Sequence, residues 1–173
     1  KDDPYYGGGY YAQMLKKAYP AVKAADPRAK VLIGGLLLDN PNDAPKNPAR
    51  FLEGILQAGG GPYFDIVAFH GYAEMGEKAE QIRNINWTGA GTPIWEKGVF
   101  LRKVLGRYGL SGKPLICTEA ALHCMDETPD CLETQAAFIP RAYAEGIALG
   151  LPALVFYALK CDYRFLGLLR GDN

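Results

Sequence analysis

Apolar residues fall along this chain in alternating blocks of two kinds. One kind is a continuous run of four to eight apolar positions. The other spreads its apolar residues at helical spacing. Residues 8–25, GGYYAQMLKKAYPAVKAA, place Tyr11, Met14, Leu15, Ala18, Val22 and Ala25 on one helical face. Pro20 is expected to bend or interrupt that helix. VLIGGLLLD, 31–39, reads as a buried strand ending at Asp39, and NPNDAPKNPAR, 40–50, as a loop with three prolines. FLEGILQAG, 51–59, is a short amphipathic helix stopped by glycines. The same pair recurs twice. YFDIVAFHGY, 63–72, is a strand, followed by a long polar loop around Asn84–Gly91 and the helix IWEKGVFLRKVLGRYG, 94–109, with Gly109 as its C-cap. KPLICTEA, 113–120, is the next strand, then a short polar loop and the helix LETQAAFIPRAYAEGIALG, 132–150. PALVFYALK, 152–160, is a fourth strand, and the remainder is irregular.

The order is helix–strand four times over, with strands roughly 35–50 residues apart, the spacing of parallel βα units. Continuously apolar strands imply that both sheet faces are covered. The long polar loops follow strands and the short turns precede them, which places function at the strand C-terminal ends. The fold class is therefore α/β, and four units make either half of a (β/α)8 barrel or a small open sheet.

Composition narrows the function. Lys plus Arg and Asp plus Glu are both 19, so the net charge is zero, against a nucleic-acid or anionic-membrane partner held by charge. No segment approaches roughly 18 uninterrupted apolar residues, which argues against a membrane span. The opening KDDPYYGGGYY has neither the charged nor the apolar region of a signal peptide. The two histidines, His70 and His123, are too few for a His-rich metal site, and no GxSxG elbow, P-loop or dinucleotide fingerprint is present. Among the four cysteines, Cys117 reads as a small buried hydrophobe, while Cys124 and Cys131 bracket MDETPD and could close a small disulfide ring. Cys161 is free or pairs with one of them, and four free thiols remain an alternative. Asn86-Trp87-Thr88 is a glycosylation sequon, relevant only in a eukaryotic secretory host.

Lined up, the strand ends present Asp39, then His70 with Tyr72, then Glu119, then Phe156 and Tyr157. A carboxylate, an imidazole, a phenol and an aromatic face are the parts of a sugar-cleaving pocket. The carboxylate attacks the anomeric carbon, its neighbours hold it ionised and oriented, and the ring stacks on the sugar. Each has a plainer reading: Glu119 as a turn cap, His70 as a satisfied core histidine, Tyr72 as packing, Phe156 and Tyr157 as core. Their recurrence on successive strand ends favours the functional reading.

The segments YAQMLKKAYPAVKAADPRAKVLIGG, FLEGILQAGGGPYFDIVAFHGY, KPLICTEAAL and RAYAEGIALGLPALVFYAL resemble the C-terminal half of a clan A glycoside hydrolase, the retaining (β/α)8 barrels of the family 39 and family 5 type. The resemblance spans nearly the whole chain, read as a single domain over 1–173. It implies Glu119 as the nucleophile at the end of barrel strand seven, and His70 and Tyr72 as the His-x-Tyr ending strand six. It further implies Phe156 in the place of a strand-eight Trp, before Tyr157. The family's acid/base, a Glu after an Asn ending strand four, has no counterpart here. Neither strands one to four nor the last barrel helix is found. Asp39, Glu74 and Glu77 lie on the same rim, but nothing places any of them opposite Glu119.

The expectation is thus a retaining O-glycoside hydrolase acting on a carbohydrate, without metal or organic cofactor. It is completed by a missing barrel half in the same longer chain or in a second one, and it has little turnover as the 173 residues alone. Secretion follows from the relatives' habit and the candidate disulfide. A non-catalytic carbohydrate-binding or assembly module with the same barrel is the alternative, and a half barrel that dimerises through its open edges is a third possibility.

Overall fold

The computed structural model describes residues 3–38, 47–75, 82–83, 87, 92–124, 128–161 and 167–169. Asp39, Glu77, the Asn86 and Thr88 ends of the sequon and most of 84–91 lie outside the described residues.

Helix α1, Gly8–Ala25, leads into strand β1, Leu32–Leu36, and helix α2, Phe51–Gln57, into β2, Ile66–His70. Two short strands follow, β3, Ala73–Met75, and β4, Ile82–Arg83. Helix α3, Pro93–Arg107, leads to β5, Leu115–Ala120, and β6, Leu122–His123. Helix α4, Pro129–Ala148, leads to β7, Leu154–Phe156. Strands β1, β2, β5 and β7 form one parallel sheet in chain order. A second, three-stranded sheet in the order β4–β3–β6 stands at its C-terminal end.

Helix ends follow the local chemistry. Thr92 and Thr128 accept hydrogen bonds from the backbone N–H of Ile94 and Cys131, each with a proline opening the helix behind it. Because of that Thr128-Pro129 pair, α4 begins a turn before the expected 132. Gly109, at φ 71°, ends α3 as expected, with Leu110 N–H bonded back to Leu105 O at 2.9 Å. Pro20 does not interrupt α1: the helix runs through it, as α4 runs through Pro140. A proline costs one backbone hydrogen bond, and the burial of Ala12 and Leu15 under α2 holds the helix regardless.

One core, including Ile33, Leu52, Ile55, Val67, Phe69, Leu101, Leu105, Leu115 and Phe138, joins the sheet to its helices. Coverage is not uniform, which corrects the expectation of strands buried on both faces. The inner strands β2 and β5 are covered, whereas Leu32 on β1, Leu37 just after it and Val155 on β7 are exposed. The reason is position: among the described residues β1 pairs only with β2, and β7 only with β5. Helix α1, beside the first edge, exposes Tyr10, Met14 and Val22, and α4, beside the other, exposes Tyr143 and Ile147. A cavity of about 310 Å³ opens on the β1 side between Tyr6, Tyr11, Leu37 and Phe51.

The N-terminal end of the sheet is tied by Asp65. Its carboxylate accepts from Val31 N–H at 2.8 Å and Tyr19 Oη at 3.1 Å, and pairs with Lys23 Nζ at 3.0 Å. No described helix is long and apolar enough to cross a membrane.

Candidate active site

Three irregularities of the sheet build the site. In β5 the register against β2 runs Val67–Leu115, Ala68–Ile116, Phe69–Cys117, then jumps to His70–Glu119. Thr118 is the extra residue of this bulge. Burial along β5 changes phase there, from Leu115 and Cys117 to Ala120. A bulge re-aims the side chains beyond it, and this one sets Glu119 beside His70. The second irregularity is in β1, where Ile33 pairs with Val67 but Leu36 with Phe69. Gly34 and Gly35 carry that bulge at φ 110° and 49°, a region that favours glycine. A Cβ on Gly35 would stand 2.5 Å from His70 Nε2, so the missing side chain is where the imidazole sits. The third is the rim sheet, which carries His123 of β6 against the ring of Tyr72, with centroids 5.1 Å apart.

Around Glu119 the contacts converge on one oxygen. Tyr72 donates its hydroxyl to Oε2, and His70 Nδ1 lies 3.4 Å from the same atom. The backbone at Glu119 is pinned as well, since its carbonyl accepts from Gly71 N–H at 2.7 Å and from the Cys117 thiol at 3.3 Å. Burial, and then the bond to the Glu119 carboxylate, raise the Tyr72 phenol above its usual value, so it remains a proton donor at any working pH. Burial likewise pushes the Cys117 thiol up to about 12 and keeps it a donor. His70 is lowered, chiefly by burial, with the Glu119 charge opposing and Lys97 reinforcing. The Glu119 side chain remains about a third exposed, at 34%. It is held on one side and open on the other.

The other expected residues divide. Tyr157 joins the site, half-exposed, with its ring 6.4 Å from that of Tyr72 and its N–H bonded to Ala120 O at 2.9 Å. Phe156 does not: its ring packs on Phe138 of α4, centroids 6.5 Å apart, because strand alternation sends neighbours to opposite faces. Glu74 sits in β3 opposite His123 of β6. Cys124 and Cys131 are joined in a disulfide with Cα atoms 6.0 Å apart, and Cys117 is a buried thiol outside any disulfide. Among the described residues no group of three or more His, Cys, Asp or Glu is placed to hold a metal ion.

Two contributors escaped the sequence reading. Gly35 looks like part of a buried strand. His123 drew notice only as too poor a metal ligand, yet its position four residues past the strand-end Glu119 was the available signal.

No family model and no curated protein matches the sequence. Solved structures do match. A family 39 glycoside hydrolase from Bacteroides cellulosilyticus superposes with a TM-score of 0.65 at 24% identity, over 99% of this chain and 36% of that one. An α-L-arabinofuranosidase from Thermotoga maritima gives 0.62 at 16% identity, over 94% and 32%. A β-xylosidase from Caulobacter crescentus gives 0.58 at 18%, over 94% and 34%. The chain spans about a third of the length of these three proteins. At such identities the likeness is one of fold, and the fold is that of part of the (β/α)8 barrel of these glycoside hydrolases.

Proposed function

We propose that these residues are the C-terminal half of a retaining O-glycoside hydrolase barrel, with Glu119 as its nucleophile. The observation that carries the reading is the convergence of the Tyr72 hydroxyl and His70 Nδ1 on Glu119 Oε2, at the C-terminal end of a parallel strand. Oε1 is then the attacking oxygen. It forms a bond to the anomeric carbon as the bond from that carbon to the leaving oxygen breaks, and a general acid gives that oxygen a proton. Water then displaces Glu119 from the same carbon, passing a proton to the conjugate base. Tyr72 and His70 orient the carboxylate, and Tyr157 is the ring on which a sugar face stacks.

Such chemistry needs a second carboxyl roughly 5 Å from the first. We assign it to a residue beyond these 173, on the half of the barrel that continues the sheet. The two sheet edges left open among the described residues and the exposed apolar faces of α1 and α4 support that assignment. Parallel sheets are ordinarily covered throughout, and both flanks call for further βα units.

The test is nucleophile rescue in the intact protein. Glu119→Ala should lose at least ~1,000-fold in kcat on activated aryl glycosides, and added azide should restore turnover as a glycosyl azide of inverted configuration. Sugar binding by an intact wild-type protein that hydrolyses no glycoside would favour the non-catalytic carbohydrate-binding module instead.

A further inference from the structure

One buried charge near this site has no part in the chemistry just described. Lys97, in α3, is 1% exposed, and it is the one charged residue in the buried set among the described residues. Its neighbours on the buried side of the helix, Pro93, Ile94, Gly98 and Leu101, bring no charge. A buried ammonium costs several kcal/mol unless its protons are taken up, so an apolar residue would serve packing better. The ammonium goes instead to two backbone carbonyls, donating to Leu37 O at 2.6 Å and His70 O at 2.9 Å. Those oxygens stand at the C-terminal ends of the neighbouring strands β1 and β2. The second belongs to the residue whose imidazole touches Glu119.

We propose that Lys97 is a positioning residue of the Glu119 site. Its ammonium fixes the two strand ends that seat His70, and its fixed positive charge behind His70 disfavours a second cation on the imidazole. The inference rests on the reading of Glu119 as nucleophile. A neutral His70 leaves the Glu119 charge free to attack, whereas an imidazolium would pair with it and blunt it. Among the described residues the groups that face His70 are few. Glu119 from β5 favours the imidazolium, Lys97 from α3 opposes it, Tyr72 stands edge-on at 5.9 Å with its proton committed to Glu119, and β1 presents only Gly35. Burial and Lys97 together prevail, and His70 is lowered. Lys97 therefore acts on the nucleophile at one remove, through strand-end geometry and through charge.

The experiment uses the intact protein with histidine carrying 15N, His70 being assigned by His70→Asn. His70 is titrated by NMR in the wild type, Lys97→Met and Lys97→Arg. In parallel, the pH dependence of inactivation by 2,4-dinitrophenyl 2-deoxy-2-fluoro-β-D-xyloside and the β-D-glucoside is followed. Their leaving group departs without an acid, so the rate reports on the nucleophile's side alone. The wild-type His70 should titrate below about 6.5, the ordinary histidine value. Lys97→Met should raise it by about 0.5–1 unit and move the acid limb of the inactivation profile up by the same amount. Lys97→Arg, which keeps the cation, should leave both in place.

If Lys97→Met lowers the melting temperature while the titration and the profile stay put, Lys97 is a structural tie and the proposal is overturned. A shift of the titration without the profile overturns its link to Glu119. A wild-type His70 that titrates at or above 6.5 overturns it even where Lys97→Met fails to fold. Failure of the nucleophile reading looks different: the wild type is not inactivated at any pH, and the titrations still decide what Lys97 does to His70.

Discussion

Replacing Tyr72 with Phe removes one oxygen from the centre of the site and leaves nearly everything else. The ring keeps its contacts with His70, His123 and Tyr157, at 5.9, 5.1 and 6.4 Å. The missing hydroxyl is the donor to Glu119 Oε2, leaving His70 Nδ1 at 3.4 Å as the remaining partner on that oxygen. A hydrogen bond to a charged acceptor is worth about 1.5–3 kcal/mol, which corresponds to roughly 10- to 150-fold in a rate that depends on it. The loss should fall on kcat/KM for formation of the glycosyl enzyme. Folding should suffer little, because Glu119 is 34% exposed and water can replace the donor. The assay is steady-state hydrolysis of aryl glycosides by the intact protein, beside a urea melt of the same variant. Activity within about 3-fold of wild type would refute the claim that Tyr72 holds the nucleophile. So would a fall in stability beyond ~2 kcal/mol, since it would mean the hydroxyl is structural.

Other perturbations reach the site and the frame separately. Gly35→Ala puts a Cβ where it would meet His70 Nε2 at 2.5 Å, on a backbone at φ 49°. We expect kcat/KM to drop by about 10-fold or more and stability by ~1–2 kcal/mol, read by kinetics and a thermal melt. Asp65 titrates at about 2: burial alone would raise it, but the Val31 N–H, Lys23 and Tyr19 hydrogen bonds lower it further. A depressed carboxylate stabilises the fold above its ordinary value of 3.8, and that contribution is lost as the pH falls through about 2. Asp65→Asn should therefore cost of order 1 kcal/mol at pH 7 after screening, and the gap to wild type in denaturant melts should close towards pH 2. Reducing the Cys124–Cys131 disulfide opens a ring whose ends are 7 residues apart in sequence, worth up to about 2.5 kcal/mol. A melt with and without reductant measures it, and an unchanged midpoint would mean that the bond constrains nothing.

How far the sequence could be read is clearest at particular residues. The order of helices and strands was legible because buried parallel strands are unbroken apolar runs and the helices between them show a 3.6-residue period. His70, Tyr72 and Glu119 were legible because each stands where such a run stops. The rim strands β3, β4 and β6 were not, since two or three residues carry no periodicity. Neither were the bulges. Thr118 and the Gly34-Gly35 pair sit inside apolar runs, and only pairing with β2 shows that the register slips there. Phe156 and Tyr157 are adjacent, so a shift of one residue decides which ring stands beside Tyr72. Lys97 reads as a solvent-facing helix residue from its type alone, and its burial follows from the strand ends above it, which no local pattern records.

The most direct measurement is the identity of the residue that carries the sugar during turnover. The intact protein is treated with a 2-deoxy-2-fluoroglycoside bearing a dinitrophenyl leaving group, digested with protease, and the modified peptide is sequenced by mass spectrometry. The account predicts a single glycosyl ester on Glu119, in the peptide containing ICTEAAL. A label on any other carboxylate, or rapid hydrolysis with inversion of configuration and no label, would contradict it.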